Sequence, residues 1–231
     1  LKNLLVFVPM FTAHLLTPLH FATSLSAFIA FSLTASSVYL LNDLLDLAAD
    51  RLHPRKRFRP LASGALSARN GSFLAATLLI TGLGLGALIT PAFFAILLAY
   101  YALTTAYSFW IKRQLIADIV TLAMLYTSRV LAGSLAIGVP LSIWLLAFSM
   151  FIFLALAAVK RQAELKDALT SGRRVAGRGY TPEDLPLIAT MATTAGYTSV
   201  LVLALYFNSS VATRFYTTPT LLWGICIVLL Y

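Results

Sequence analysis

The chain has 231 residues, of which 60% are hydrophobic and only 11% are charged, and its formal net charge is +9. Soluble domains usually carry about 25% charged residues. A soluble globular fold is excluded because a chain of this length could not bury so much apolar surface. The positive charge does not indicate nucleic-acid binding, since the sequence offers no basic soluble domain to hold it, and phosphate-bearing lipids or substrates explain it better.

Apolar segments of up to about 25 residues recur along the whole chain, which is typical of membrane-spanning elements. Eight of them lie near 4–16, 21–45, 72–89, 92–111, 115–136, 141–159, 185–207 and 217–231. Their length and the lack of period-two alternation favour helices over barrel strands. We predict an all-α, polytopic transmembrane bundle in a single domain over 1–231. The end segments are short, so we expect truncation at both ends.

The basic residues indicate how the bundle is oriented. Fourteen of the 17 lysines and arginines fall in the connections after the second, fourth and sixth segments. Lys2 lies on the same side, and the opposite connections carry only Arg214. The positive-inside rule places the basic side in the cytoplasm. We therefore expect the polar loops 46–70 and 160–184 to face the cytoplasm from a cell (inner or plasma) membrane.

An acidic motif ends the second segment. Asp43, Asp46 and Asp50 follow one another at i, i+3 and i+7 and fall within about 60° on one helical face, with Asn42 at its edge. Three neighbouring carboxylates repel one another, and a hard divalent cation such as Mg²⁺ compensates them with oxygen ligands. A solvated acidic cap is the alternative, but such caps favour helix N-termini. The pattern predicts a magnesium–diphosphate site.

A basic stretch follows the acidic motif. Pro54 is expected to stop the helix, after which come Lys56-Arg57-Phe58-Arg59-Pro60 and then Gly64. Cations beside a metal–diphosphate site can neutralise the remaining phosphate charge. For Arg55 and Arg57 we favour the simpler interpretation of ordinary cytoplasmic charges.

The order Asn-Asp-x-x-Asp-x-x-x-Asp, then Lys-x-x-Arg-Pro and Gly, resembles the first motif of the UbiA superfamily. These are membrane enzymes, mostly prenyltransferases, with about nine helices around a central cavity, of which eight would be visible here. The resemblance implies a Mg²⁺ cofactor and catalytic aspartates. The implied metal ligands are Asn42, Asp43, Asp46 and Asp50, the implied catalytic residues are Asp43 and Asp46, and the implied substrate-binding residues are Asn42, Lys56 and Arg59.

The second polar loop departs from the usual prenyltransferase pattern, which has a second aspartate-rich motif. Between residues 160 and 184 there are six cations and four acids. A basic pole suits a phosphate that carries no metal, because Arg binds phosphate oxygens in bidentate fashion. An i, i+4 pair of Lys160 and Glu164 is the structural alternative.

The run Lys-Arg-x-Ala-Glu-Leu from Lys160, and Lys2-Asn3, resemble the decaprenyl-phosphate phosphoribosyltransferase branch. That branch transfers 5-phosphoribose from phosphoribosyl pyrophosphate to a polyprenyl phosphate. The resemblance implies that the following residues bind substrate: Lys2, Lys160, Arg161, Glu164 and Arg173.

Two ionisable residues lie within the fifth segment, where charge is expensive and tends to mark function. Asp118 and Arg129 share a helical face but are separated by about 16 Å along the axis, too far for a direct pair. Each therefore needs another partner, either in an interhelical salt bridge or facing the cavity. Superfamily members carry comparable residues on this helix, and we take Tyr126 and Arg129 as substrate-binding.

The predicted activity is therefore Mg²⁺-dependent transfer of 5-phosphoribose from phosphoribosyl pyrophosphate to polyprenyl (decaprenyl) phosphate. One alternative is a prenyltransferase that joins a polyprenyl diphosphate to an aromatic or other acceptor. A second alternative is a transporter or scaffold without chemistry, which predicts acids near the bilayer midplane. The acids lie at a helix end instead, which favours the enzymes.

Overall fold

A computed structural model describes residues 2–54, 56–140, 142–171, 179–209, 212 and 222–230. Within these ranges the secondary structure is helical, and none of these residues is in a strand. The α-helices are α1 (Val8–Thr12), α2 (Pro18–Leu45), α3 (Leu47–Leu52), α4 (Ala68–Ile89), α5 (Pro91–Phe109), α6 (Leu115–Ile137), α7 (Ile143–Ser171), α8 (Leu185–Phe207) and α9 (Trp223–Leu230). Short 3-10 helices cover Lys2–Phe7, Lys56–Phe58, Ile111–Arg113 and Pro182–Asp184.

Six of these helices, α2 and α4 to α8, are long and apolar enough to cross a membrane. The predicted all-α, polytopic fold is confirmed. The first predicted segment, 4–16, is a 3-10 turn followed by α1, and His14 ends it in a left-handed conformation with φ of 56°. The last segment, 217–231, contributes α9 within the described residues.

Both polar loops contain more helix than their polarity indicates. The loop 46–70 holds α3 and a 3-10 turn, and α7 continues through the first half of 160–184 as far as Ser171. The reason in α7 is composition, because the residues after Lys160 include Gln, Ala, Glu, Leu and Lys, which are strong helix formers.

The chain divides into two compact units. The first comprises Leu1–Ser108 and Arg129–Pro140, and the second comprises Phe109–Ser128 and Leu141–Tyr231. In the second unit α7 packs on α8, and a buried cluster around Ile119, Leu165 and Ile188 forms its core.

In the first unit α4 lies against α2 at a glycine. A Cβ added to Gly82 would lie 2.6 Å from the Thr34 hydroxyl and 2.9 Å from the Ala30 carbonyl oxygen. The Thr34 hydroxyl donates to that same carbonyl at 3.0 Å, so the polar group is satisfied inside its own helix. Only a residue without a side chain allows the two backbones to approach this closely.

Substitution of Gly82 by alanine is expected to destabilise the first unit, because the added methyl group has no space against α2. Gly84 lies on the same helix, and a methyl group added there would have nothing within 4 Å. Gly84→Ala is therefore a matched control that gains helix propensity without a clash. Thermal unfolding in detergent measures both variants. A Gly82→Ala protein at least as stable as Gly84→Ala would contradict this packing.

Candidate functional site

The acidic motif lies where α2 ends and α3 begins. Asp46 separates the two helices, with φ of −90° and ψ of 7°, a region of backbone space often found at active sites. Its amide donates to the Asn42 carbonyl at 2.9 Å and its carbonyl accepts from the Asp50 amide at 2.8 Å, so backbone bonding is maintained through the break. The expectation of one continuous helix is wrong at this position, and Asp50 belongs to α3.

Despite the break, two carboxylates of the motif converge on one atom. The Arg59 Nη1 donates to Asp43 Oδ1 at 2.8 Å and to Asp50 Oδ2 at 2.7 Å. The Lys56 ammonium lies 3.7 Å from the other Asp50 oxygen. The Asp46 carboxylate is close enough to that of Asp43 to repel its negative charge. The motif and the basic stretch therefore form one cluster, the aspartate–arginine site, made of Asp43, Asp46, Asp50, Lys56 and Arg59.

The two sides of this site are not equally exposed. The Asp50 side chain is 3% exposed, whereas those of Asp43 and Arg59 are 29% and 41% exposed. A buried carboxylate requires compensation by cations and hydrogen bonds, and Asp50 obtains it from Arg59 and Lys56. Asp43 and Arg59 form the side that a water-soluble ligand can reach.

A leucine contact positions the basic stretch. Leu61 is buried, and a Cβ added to Gly71 would lie 2.7 Å from its side chain and 3.6 Å from that of Leu44. Leu44 adjoins Asp43, and Leu61 is two residues after Arg59, so this packing holds the arginine near the carboxylate. Gly64 turns the chain with φ of 84°, a conformation that favours glycine.

The chemistry of this donor set fits magnesium. In the described part of the chain no group of three or more His, Cys, Asp or Glu side chains is close enough to hold a metal ion. Mg²⁺ does not need such a cage, because it is usually held by one or two carboxylates, water and substrate phosphates. Two carboxylate oxygens here already share one cationic atom.

A second polar cluster lies in the second unit, between α6 and α7. Arg161 donates through Nε and Nη2 to the Asp118 carboxylate, with the Nη2 contact at 3.2 Å, and through Nη1 to Glu164 at 2.7 and 2.9 Å. Its guanidinium carbon lies 6.0 Å from the centre of the Tyr180 ring. The Arg161 and Asp118 side chains are 1% and 0% exposed. Asp118 therefore has an interhelical salt bridge, one of the two roles expected for it.

Arg129 occupies a different environment, in the first unit. Its Nε donates to Asn3 Oδ1 at 3.0 Å and its Nη2 donates to the Tyr100 hydroxyl at 3.1 Å. The rings of Phe31 and Tyr100 lie 5.2 and 5.1 Å from its guanidinium carbon, within cation–π range. Asn3 in turn donates to the Ser32 hydroxyl at 3.0 Å.

These partners of Arg129 were not predicted, apart from the general expectation that it has one. The buried residues of α5 recur at a helical period, Phe93, Leu97, Tyr100, Thr104 and Ser108. That period places the Tyr100 hydroxyl on the inward face and is the signal that could have identified it.

The remaining predicted site residues fall into three groups. Asn42 and Tyr126 are half-buried, and Tyr126 stacks on Phe153 with ring centres 5.3 Å apart. Lys2 and Lys160 are exposed. Arg173 lies outside the described residues.

The sequence from residue 4 to residue 231 matches the family model described as the UbiA prenyltransferase family. The chain belongs to the UbiA prenyltransferase family. Members of this family are transferases, and the six long apolar helices agree with a multi-pass membrane protein. The superfamily expected from the Asn42–Gly64 motif is confirmed.

Curated relatives resemble this UbiA-family chain over most of its length. The chain is 37% identical over 211 residues to the nodulation protein NoeC of Azorhizobium caulinodans, covering 91% of this chain and 69% of that protein. It is 39% identical over 171 residues to a decaprenyl-phosphate phosphoribosyltransferase of Mycobacterium tuberculosis, covering 73% of this chain and 57% of that enzyme. The chain is also 37% identical over 207 residues to the protein y4nM of Sinorhizobium fredii, covering 89% of this chain and 40% of that protein, so it spans 40% to 69% of the length of these relatives.

A solved UbiA homolog from Archaeoglobus fulgidus, bound to GPP and Mg²⁺, has a similar fold. The TM-score is 0.72 at 16% identity, over 99% of this chain and 85% of that chain. At this level of identity the similarity establishes the UbiA-type fold alone.

The buried ion pair gives a stability prediction for this UbiA-family chain. Asp118→Asn leaves the Arg161 guanidinium with one carboxylate fewer in a buried position, and breaking such a pair typically costs about 3–5 kcal/mol. We expect a large fall in the thermal unfolding temperature in detergent. Glu183→Gln, at an exposed position of the same unit, is the control. Equal stability of the two variants would show that the pair contributes little.

Proposed function

We propose that this chain catalyses the transfer of 5-phosphoribose from phosphoribosyl pyrophosphate to a polyprenyl phosphate. The bond from ribose C1 to the pyrophosphate oxygen breaks, and a bond from C1 to an oxygen of the lipid phosphate forms. Pyrophosphate leaves with the electron pair. The observation that carries the proposal is the convergence of Asp43 and Asp50 on one cationic atom, within a motif that resembles the first motif of the UbiA superfamily.

The aspartate–arginine site is proposed to bind the pyrophosphate of the donor. Asn42, Asp43, Asp46 and Asp50 would hold a magnesium ion, which would neutralise charge on the leaving group. Lys56 and Arg59 are proposed to bind the diphosphate oxygens through charge-assisted hydrogen bonds. The lipid phosphate is already anionic, so no residue has to remove a proton from it. Catalysis then comes mainly from positioning and electrostatics.

The polar part of α7, residues 160–171, is proposed to bind a second phosphate through its first residues. This phosphate would be that of the lipid or the 5-phosphate of the donor. Arg161 is committed to Asp118 and Glu164 in this structure and is 1% exposed. The proposed phosphate role therefore rests mainly on Lys160, whose side chain is exposed. We propose that Arg161 orients Glu164 and that Lys2, Tyr126, Arg129 and Arg173 contribute to substrate binding.

Prenyl transfer is the second candidate, and one observation favours it. Asp118, Arg161 and Glu164 together carry one more negative than positive charge, so this cluster is less basic than the loop composition indicates. An acidic second pole suits a prenyl diphosphate with its metal. The relatives named as decaprenyl-phosphate phosphoribosyltransferases support the first candidate instead.

The orientation is also a proposal. The aspartate–arginine site and the polar part of α7 belong to the basic connections, which the positive-inside rule assigns to the cytoplasm. We propose that both face the cytoplasm of a cell membrane, where phosphoribosyl pyrophosphate is soluble, while the polyprenyl tail stays in the lipid phase.

The reaction is tested with purified protein, Mg²⁺ and labelled phosphoribosyl pyrophosphate plus polyprenyl phosphate, with prenyl diphosphate plus aromatic acceptors in parallel. We expect label in the lipid fraction of the first mixture. In Asp43→Asn the rate of labelling is expected to fall by about 100-fold or more, because the variant removes a leaving-group contact. Glu183→Gln, an exposed acid, is the control for loss of negative charge. No label in lipid from wild-type protein, with product in the prenyl mixture, would replace the first candidate by the second.

The role of Lys160 is tested separately by its removal. Lys160→Ala is expected to raise KM for the phosphate-bearing substrate by about 10- to 100-fold with a smaller effect on kcat, as for a lost hydrogen bond to a charged group. Lys166→Ala removes the same charge from another exposed position of α7 and is the control. Unchanged KM for both substrates in Lys160→Ala would leave this residue a structural or topological role.

A further inference from the structure

Arg59 binds two of the carboxylates that are proposed to hold the metal. One nitrogen, Nη1, is bonded to both Asp43 and Asp50, at 2.8 and 2.7 Å. Because these carboxylates are the ones proposed to hold the metal, the arginine and the metal would compete for them. A guanidinium and a divalent ion on the same two carboxylates would repel one another, because both are positively charged.

We propose that Arg59 is an exchangeable ligand: without metal it neutralises Asp43 and Asp50, and when a metal–diphosphate binds it leaves these carboxylates for the diphosphate oxygens. The inference rests on one part of the proposed function, the binding of a metal–diphosphate at the aspartate–arginine site, and does not depend on the identity of the acceptor. Arg59 would then couple the binding of the metal to the binding of the diphosphate, in addition to being a ligand of the diphosphate.

The exposure of the site permits this exchange. The Arg59 side chain is 41% exposed and its Asp43 partner 29% exposed, and ion pairs in such surroundings are weak. Asp50 is 3% exposed and could not lose both of its cations without a large penalty. The Lys56 ammonium, 3.7 Å from the other Asp50 oxygen, remains to compensate it after Arg59 has left.

The exchange has a thermodynamic consequence. Metal alone has to displace Arg59, so its affinity is reduced by the strength of the two arginine contacts. Diphosphate accepts the displaced guanidinium, so each ligand strengthens the binding of the other, and the coupling is reciprocal. An Arg59 that served only as a fixed diphosphate ligand would not weaken the binding of metal by itself.

The first experiment measures Mn²⁺ binding to the detergent-solubilised full chain by electron paramagnetic resonance, without any nucleotide or lipid. Arg59→Gln is expected to bind Mn²⁺ roughly 3- to 30-fold more tightly than wild type, because the competitor for the carboxylates is gone. Arg57→Gln removes the same charge two residues away, where Arg57 stacks on Phe58 with 4.8 Å between the guanidinium carbon and the ring centre. It is expected to change the affinity by less than about twofold. Equal effects of the two variants would overturn the proposal.

The second experiment uses wild-type protein and needs no variant to fold. Phenylglyoxal modification of Arg59, measured by mass spectrometry relative to Arg57, is expected to accelerate with Mn²⁺ alone and to slow when pyrophosphate is added with Mn²⁺. The first change reports release from the carboxylates and the second reports capture by the diphosphate. A rate that Mn²⁺ alone leaves unchanged, under conditions where Mn²⁺ binds, would overturn the exchange.

The outcomes separate this inference from the proposed reaction. If wild type binds no Mn²⁺ with or without pyrophosphate, the metal site is wrong and both fail. If Mn²⁺ and pyrophosphate act on Arg59 as expected but no phosphoribose reaches lipid, the exchange holds and the assignment of the reaction fails.

Discussion

Two carboxylates on consecutive helices, Asp43 and Asp50, meet at a single guanidinium nitrogen of Arg59. Such an arrangement is stable only with positive charge between the acids, since two carboxylates so close together repel one another. The break at Asp46, the basic stretch and the glycine turn all serve this requirement, because together they place a cation on the acids. Carboxylate oxygens are also the ligands that a hard metal ion prefers when it binds together with phosphate.

Two of the charged clusters among the described residues are compensated in different ways. In the aspartate–arginine site the cations sit on a short turn and are partly open to solvent. In the cluster of the second unit, Arg161 and Asp118 are almost fully buried on two long helices. The first arrangement can be rearranged at low cost, whereas the second leaves a desolvated charge when it is broken. The difference favours the first as the site for exchange with ligands and the second as a rigid support.

Much of this architecture follows from composition and periodicity, and the exceptions have physical causes. Apolar length predicts α2 and α4 to α8, and the spacing of Asp43 and Asp50 predicts their convergence. The break at Asp46 is a local backbone feature without a glycine or proline to indicate it. The partners of Arg129 and Asp118 lie far away in the sequence, so a charge pattern shows that partners are needed without showing which residues they are.

The pairing of Arg161 with Asp118 also constrains how the chain is made. These residues are 43 positions apart, so Asp118 leaves the ribosome well before its partner exists. Until α7 has been made, Asp118 in the first turn of α6 lacks the arginine that lies against it in the folded protein. The Asp118–Arg161 pair can therefore form only after the polar part of α7 has been made, so this contact between the two helices is added after α6 itself.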